Sequence, residues 1–216
     1  MTQPVPLPVA LVDLGGVLVR VHTSRVVAAL AARAGCATAV AEAALFGGGR
    51  KRALDSGHCD FEAFRAAVEA AVGTPCCDPA WFRTAWCAIF DERPEAGALL
   101  DALTGAGCRV SLASNTDPAH WEKARTYPAV ARVPEACLSF ELGALKPEAA
   151  FYVRAAARLG VAPGVCLLID DREENVQGAV AAGMRAAQYP LEDASLWIAR
   201  ALPALLAAAP AAAPPP

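Results

Sequence analysis

Five short runs of mainly apolar residues constrain the fold of this chain more than any other feature of its sequence. Continuous apolar runs of this length are typical of strands buried on both faces of a parallel sheet. Two of the stretches between them, residues 94–106 and 147–159, begin with proline and end near glycine, as helices often do. The alternation predicts an α/β fold with a doubly wound parallel sheet. The five predicted strands are residues 9–12, 110–113, 137–140, 165–169 and 185–189.

One interval is too long for a simple connection between strands. Residues 20 to 108 separate the first two predicted strands and carry Ala, Leu, Phe and Trp at helical spacing. A crossover helix needs about a dozen residues. The interval therefore predicts an inserted α-helical cap at residues 20–93, lying over the crevice where such sheets bind ligands. The core domain would comprise residues 1–19 and 94–205, and the Ala- and Pro-biased residues 206–216 would follow a short helix as a disordered tail.

The composition excludes several classes of partner. The net charge of −3 gives no basic patch for nucleic acid and favours a small-molecule ligand. Asp13 interrupts the first apolar run far short of a membrane span, and no basic region precedes that run, so no membrane partner is expected. Eight cysteines without a C-x-x-C pair indicate a reduced, cytoplasmic protein. The oligomeric state has no signature in the sequence.

Polar side chains stand where four of the predicted strands end. Because the carboxyl ends of parallel strands meet at one edge of a sheet, we expect these side chains to lie close together. They comprise one carboxylate, a hydroxyl beside an amide, an ammonium and a pair of acids. In strand order these are Asp13, Ser114 with Asn115, Lys146, and Asp170 with Asp171.

This set of groups is what phosphoryl transfer to a carboxylate requires. A carboxylate can attack phosphorus and form an aspartyl-phosphate. Two acids held close together repel each other unless a cation lies between them, and oxygen ligands favour Mg²⁺. Lysine and hydroxyl donors then bind the equatorial oxygens of the phosphoryl group. The strand ends therefore indicate phosphoryl transfer that depends on Mg²⁺.

The order D-x-G-G-V-L, S-N-T, K-P and D-D-x-x-x-N resembles the haloacid dehalogenase (HAD) superfamily of hydrolases over nearly the whole chain. The segments ASNTDPAHW, LSFELGALKPEAAFY and LLIDDREENVQGAVAAG are similar to its branch of small sugar-phosphate phosphatases, which includes α-glucose-1-phosphate phosphatase. The resemblance implies a Rossmann-like core, a helical cap inserted after the first strand, and a small sugar phosphate-like metabolite as substrate.

The resemblance also implies a role for each polar residue. Asp13 would be the nucleophile, Ser114 would bind the transferring phosphoryl group, and Lys146 would steady both. By the same resemblance, Mg²⁺ is expected on Asp13, the Gly15 carbonyl, Asp170 and Asp171, and substrate on Ser114, Asn115 and Lys146.

Position 15 departs from the pattern of most HAD phosphatases. They carry a second Asp two residues after the nucleophile, which protonates the leaving group and later activates water. Gly15 cannot transfer a proton, and such acid–base help is typically worth about 10²–10⁴-fold in rate. The sugar-phosphate branch also shows D-x-G, and an anomeric or acyl-phosphate oxygen would leave with less help. His120 is one candidate for the missing proton donor; the alternative is a solvated histidine at the start of a helix.

Residues 46–58, FGGGRKRALDSGH, look like a phosphate-binding loop but lack the G-x-x-x-x-G-K-[ST] spacing and follow no buried strand. We expect a flexible cap loop in which Arg50, Lys51 or Arg52 faces the substrate. Four aromatic residues, mostly at helical spacing, are expected to form the core of the cap. These are Trp81, Phe82, Trp86 and Phe90.

Three other readings compete with the phosphatase. In a 2-haloacid dehalogenase the aspartate attacks carbon without a metal, but the acid pair favours phosphate and that branch normally has an aromatic residue in place of Gly15. A phosphorelay receiver domain uses similar groups, but its acid pair comes first in the chain and its lysine last. A catalytically silent binding or scaffold protein with the HAD fold is the third reading, and Gly15 is its best support.

Overall fold

The computed structural model describes residues 8–75 and 77–207. A five-stranded parallel sheet forms its centre, with the order β5-β4-β1-β6-β7, and a two-stranded antiparallel ribbon pairs β2 with β3. The strands are β1 Val9–Val12, β2 Val19–Val21, β3 Phe90–Glu92, β4 Arg109–Ser114, β5 Ala136–Leu138, β6 Cys166–Asp170 and β7 Arg185–Gln188.

The central strand shows why the apolar runs are continuous. Side chains of β1 alternate between two buried clusters, with Ala10 and Val12 on one face and Val9 and Leu11 on the other. Because both faces are covered, neither set of alternate residues is polar. The predicted doubly wound α/β sheet is confirmed: from β1 the chain proceeds through β4 to β5 on one side, then crosses to β6 and β7 on the other. The connections therefore diverge between β1 and β6, where such sheets bind ligands.

Five helices lie between β2 and β3 and form the helical insert of this molecule. They are α1 Thr23–Ala34, α2 Thr38–Phe46, α3 Arg50–Asp55, α4 Phe61–Val72 and α5 Pro79–Cys87. Phe64, Phe82 and Trp86 are fully buried at the centre of the insert, and the Phe64 and Trp86 ring centroids lie 4.8 Å apart. The predicted aromatic core is therefore present, with Phe90 on β3 and Trp81 half-buried beside it.

The other α-helices of the described ranges follow β3 in the chain. They are α6 Ala96–Gly105, α7 Pro118–Ala124, α8 Pro128–Ala131, α9 Ser139–Leu142, α10 Ala149–Leu159, α11 Glu173–Ala181 and α12 Ala194–Ala207. Across the described ranges no single helix is both long and apolar enough to cross a membrane. Thr23–Ala34 and Thr38–Asp55 have that length and composition only together, across a 116° bend.

Three local predictions differ from the structure. Residues 139–140 begin α9 instead of ending a strand, because the Ser139 hydroxyl exchanges hydrogen bonds with the backbone of Thr116 and draws the chain out of the sheet. Residues 50–55, predicted as loop, form α3, where Lys51 pairs with Asp55 one turn later. The predicted disordered tail began at residue 206, but α12 continues through Ala207; residues 208–216 lie outside the described ranges.

Candidate active site

A cavity of about 530 Å³ opens at the carboxyl edge of the sheet, where β1, β4 and β6 end. Six residues singled out in the sequence line it, and Asp170 lies directly behind them, fully buried. The six are Asp13, Gly15, Ser114, Asn115, Lys146 and Asp171. The structure thus brings together side chains that are up to 158 positions apart, as the predicted strand ends required.

Lys146 is the central cation of this cavity. Its Nζ lies 2.8 Å from Asp13 Oδ1 and donates to Asp170 Oδ2 at 2.5 Å and to the Ala113 carbonyl at 2.7 Å. Burial would lower the pKa of Lys146, but the facing carboxylates of Asp13 and Asp170 raise it above its ordinary value. Lys146 is therefore an ammonium at neutral pH, with all three N–H groups engaged.

Asn115 fixes the backbone of Lys146. Its Nδ2 donates to the Lys146 carbonyl and its Oδ1 accepts from the Lys146 N–H, both at 2.8 Å. Ser114, the last residue of β4, is 3% exposed and lies on the cavity wall. Asn115 lines the cavity as well, so its amide both positions Lys146 and borders the space for a ligand.

Three carboxylates meet beside this lysine. Oxygens of Asp13, Asp170 and Asp171 all lie within 4.8 Å of one another. Burial raises the pKa of Asp13 to about 7, against the lowering effect of the Lys146 ammonium, and burial followed by the charge of Asp170 raises the pKa of Asp171. One ammonium does not neutralise three acids, so the cluster has the charge and the hard oxygen donors that suit Mg²⁺.

Asp170 is tied down by its neighbours. Its Oδ1 accepts from Asn175 Nδ2 at 2.9 Å and from the Arg172 backbone N–H at 3.0 Å, while its Oδ2 accepts from Lys146. Asn175 is buried and lines the cavity. The sequence pattern D-D-x-x-x-N contained this residue but assigned it no role. Its place in the first turn of α11 directs the amide back to the strand end.

The loop after the β1 aspartate approaches the acids too closely for a side chain. Gly16 has a φ of +78°, and an ideal Cβ there would lie 2.2 Å from Asp171 Oδ2. Arg93, buried at the end of β3, donates to the Gly16 carbonyl and, at 2.9 Å, to that of Leu191. Sequence patterns did not single out Arg93, because its partners are backbone atoms distant in the chain.

Gly15 lies on the same wall, and a side chain there would make one tight contact. An ideal Cβ on Gly15 would come within 3.0 Å of Val21 Cγ2. Val21 belongs to β2 and borders the cavity. A side chain at position 15 would require this exposed valine to shift by a few tenths of an ångström. Gly15 itself brings no acid to this wall.

His120 is 4% exposed, so the alternative of a solvated histidine is wrong. Its ring stacks on Trp86 with centroids 4.6 Å apart. Its Nδ1 lies 2.9 Å from Asp117 Oδ2 and its Nε2 lies 2.9 Å from the Trp86 carbonyl. Both partners carry acceptor oxygens, so both ring nitrogens are engaged. His120 is thus fixed between the insert and the core, without a ring nitrogen free to act on a ligand.

Asp117 is the anion that holds this contact, and sequence reasoning missed it. It caps α7 by accepting from the N–H groups of Ala119 and His120, both at 3.0 Å, and accepts from Trp86 Nε1 at 3.1 Å. Burial alone would raise the pKa of Asp117, but His120 and then Lys51 lower it well below its ordinary value. Asp117 followed by Pro118 is a helix-start signal, but its partners on the insert could not be read from the sequence.

Comparison with known proteins places these residues in a family. A family model for haloacid dehalogenase-like hydrolases matches residues 7–183 of this chain. Among solved structures, a predicted HAD-like hydrolase from Porphyromonas gingivalis has a TM-score of 0.78 at 24% identity, covering 94% of this chain and 99% of that one.

Two other similar structures carry bound groups. A HAD family enzyme from Bacteroides thetaiotaomicron, in complex with magnesium and inorganic phosphate, has a TM-score of 0.73 at 21% identity, covering 87% of this chain and 96% of that one. L-2-haloacid dehalogenase from Xanthobacter autotrophicus, with chloropropionic acid covalently bound, has a TM-score of 0.59 at 19% identity, covering 89% and 82%. At these identities the likeness establishes a shared fold.

Proposed function

This chain belongs to the haloacid dehalogenase-like hydrolase family, and we propose that it is a Mg²⁺-dependent phosphatase of a small phosphorylated metabolite, sugar phosphate-like, that works through an aspartyl-phosphate on Asp13. One observation carries the proposal: Lys146 lies between Asp13 and Asp170 in the cavity where Asp171 completes an acidic cluster. Attack on phosphorus uses every member of this set.

The proposed reaction has two displacements. Asp13 Oδ2 attacks phosphorus, because Oδ1 is held by Lys146; the bond from phosphorus to the leaving oxygen breaks, and its electron pair stays on that oxygen, which takes a proton. Water then attacks phosphorus, the aspartyl bond breaks, and inorganic phosphate departs as the Asp13 carboxylate is restored. The Ser114 hydroxyl would bind an equatorial oxygen of the phosphoryl group, and the Lys146 ammonium would stabilise the group through its positive charge.

The acidic cluster supports the proposal of a metal ion beside Asp13. Asp13 and Asp171 would hold Mg²⁺, with help from Asp170 and the Gly15 carbonyl. When bound, the ion neutralises charge on the phosphoryl oxygens and favours the ionised form of the surrounding carboxylates. The similar enzyme from Bacteroides thetaiotaomicron was solved with magnesium and inorganic phosphate, which supports the same pairing here.

Dehalogenation is the second candidate, because a similar structure is a 2-haloacid dehalogenase. The carboxylate cluster argues against it for this chain, since attack on carbon needs no metal. The glycine at position 15, where the dehalogenase branch normally has an aromatic residue, argues the same way. Phosphate therefore fits the described residues better than a haloacid.

The test is turnover of p-nitrophenyl phosphate and a panel of sugar phosphates by wild type and Asp13→Asn. Activity should require Mg²⁺, stop with a chelator, and be lost in Asp13→Asn, because amide nitrogen cannot attack phosphorus. Asp101→Asn is the matched control, since Asp101 is exposed and pairs with Arg132 on the surface. Chloride release from chloroacetate with chelator present would favour the dehalogenase, and no turnover that depends on Asp13 would favour a silent scaffold.

We also infer that the protein works in a reducing compartment such as the cytoplasm. Leaving Cys77 aside, six cysteines of the described ranges have free thiols, three of them buried. Buried thiols of this kind act as small apolar side chains, and burial raises the pKa of Cys87 and Cys166 to about 11, which keeps both unreactive.

A further inference from the structure

A second cavity, of about 130 Å³, adjoins the first and reaches under the helical insert. The two cavities share Gly15, Val21, Ser114 and Asn115 in their walls. A group that leaves phosphorus on the side of Gly15 would enter this smaller space. Its far wall is largely apolar and comes from the insert and its ribbon, through Val26, Phe46, Trp86, Ile89 and Phe90.

Two titratable side chains line the smaller cavity within the described ranges, Lys51 and His120. His120 is bonded at both ring nitrogens, to the Asp117 carboxylate and the Trp86 carbonyl, so it has no proton free for a ligand. Lys51 is the remaining group that can donate a proton into this space.

Lys51 is held in place with hydrogen-bonding capacity to spare. Its Nζ donates to Asp55 Oδ1, lies 3.7 Å from Asp117 Oδ2, too far for a hydrogen bond, and lies 5.5 Å from the centre of the Trp86 ring. An ammonium has three N–H groups, so two are left for the cavity. The side chain is 22% exposed.

Its neighbours on α3 are engaged elsewhere. Arg50 donates to the carbonyls of Ala43 and Ala44 at the end of α2, and Arg52 pairs with Glu148 of the core. Neither arginine lines the smaller cavity. Of the three cations expected to face the substrate, Lys51 is the one that lines this cavity.

On the basis of the proposed phosphatase function, we propose that Lys51 is the catalytic acid that replaces the aspartate missing at position 15. As the bond from phosphorus to the leaving oxygen breaks, that oxygen takes a proton from Lys51 Nζ, because an alkoxide is far more basic than an amine. The neutral amine then accepts a proton from the water that hydrolyses the aspartyl-phosphate. This restores the ammonium, so the cycle closes without another reactant.

The dependence on the leaving group tests this role. Lys51→Met should lower kcat/KM for an alkyl phosphate such as glycerol 1-phosphate by about 10²-fold or more. The loss on p-nitrophenyl phosphate should be markedly smaller, because nitrophenolate leaves without a proton. Lys51→Arg, which keeps the charge between the aspartates but is a poor acid, should restore folding stability and not the alkyl activity. Arg52→Met is the matched control, since it removes a cation from the same helix outside the cavity.

An equal loss on both substrates would overturn the role of Lys51 and assign it to structure alone. If Lys51→Met fails to fold, kcat/KM of the wild type is measured on a series of ring-substituted phenyl phosphates. A shallow dependence of kcat/KM on the pKa of the leaving phenol supports an acid, and a steep dependence contradicts it. Failure of the proposed function would look different, because wild type and Asp13→Asn would then be equally inactive on every phosphate ester.

Discussion

Two lysines in this molecule lie between pairs of aspartates, and their surroundings differ. One set lies at the carboxyl edge of the sheet, where every N–H of the lysine is used and its side chain is 1% exposed. The other lies between the insert and the core, where the lysine makes one hydrogen bond and is 22% exposed. The same ion arrangement can thus fix a charge in one place and leave donors open in another. We call Lys146 with Asp13 and Asp170 the carboxyl-edge set, and Lys51 with Asp55 and Asp117 the insert set.

The difference follows from where each set comes from in the chain. In the carboxyl-edge set, Asp13 and Asp170 lie at the ends of the paired strands β1 and β6, so backbone pairing brings these two together. Asn115 holds Lys146 beside them, in the loop after α9. The insert set joins α3 to the loop before α7, and only tertiary packing places them in contact. The first set should therefore be the more rigid and the more costly to break.

Lys146→Met gives the largest expected effect. It leaves Asp13 and Asp170 buried without their counter-charge, which typically costs about 3–5 kcal/mol of unfolding free energy. Phosphatase activity should be lost as well. Chemical denaturation gives the unfolding free energies of Lys146→Met and Lys51→Met. Because Lys51 is more accessible, Lys51→Met should lose less unfolding free energy. Equal losses would mean that the two sets do not differ as described.

Asp117→Asn should have the next largest effect, because it removes the buried carboxylate that contacts His120, Lys51 and Trp86. We expect about 3 kcal/mol of lost unfolding free energy. Asp78→Asn is the matched control: Asp78 also caps a helix, accepting from Ala80 and Trp81, but at an exposed site. Asn caps a helix about as well as Asp, so Asp78→Asn should lose little stability, and equal losses in the two variants would contradict the buried role of Asp117.

The same carboxylate should make stability depend on pH. The pKa of Asp117 is lowered in the folded state from its ordinary value of 3.8. Its contribution to stability is therefore fully present above that value and is lost as the pH falls through the lower, folded-state pKa. Unfolding free energies of wild type and Asp117→Asn, measured against pH, should converge below 3.8; a constant gap would contradict the lowered pKa.

Gly16→Ala should give the smallest effect on stability and a specific effect on the metal. The new methyl group would displace the Asp171 carboxylate, which lies 2.2 Å from the Cβ position. Gly35→Ala is the matched control, because its φ of +66° brings a similar backbone strain of about 1–2 kcal/mol with nothing within 4 Å of the methyl group. Activity titrated with Mg²⁺ should shift to higher concentration in Gly16→Ala alone.

More of the carboxyl-edge set than of the insert set could be predicted from the sequence. Strand ends are readable because apolar runs stop at polar residues, so Asp13, Ser114, Lys146 and the acid pair were found together; their catalytic roles stay predictions. Asp117 and Asn175 were not assigned tasks, since each acts through atoms on another element. Helix α3 was read as loop because three glycines precede it and its stabilising pair, Lys51 with Asp55, is also a common surface pattern.

The most direct test of the whole account is to trap the phosphorylated protein. Wild type mixed with Mg²⁺ and p-nitrophenyl phosphate is quenched in acid within one turnover, digested, and examined by mass spectrometry. We expect one added phosphoryl group on the peptide that contains Asp13, absent in Asp13→Asn and absent with chelator. A phosphoryl group on a different residue, or turnover of the ester with Asp13 unmodified at every quench time, would contradict it.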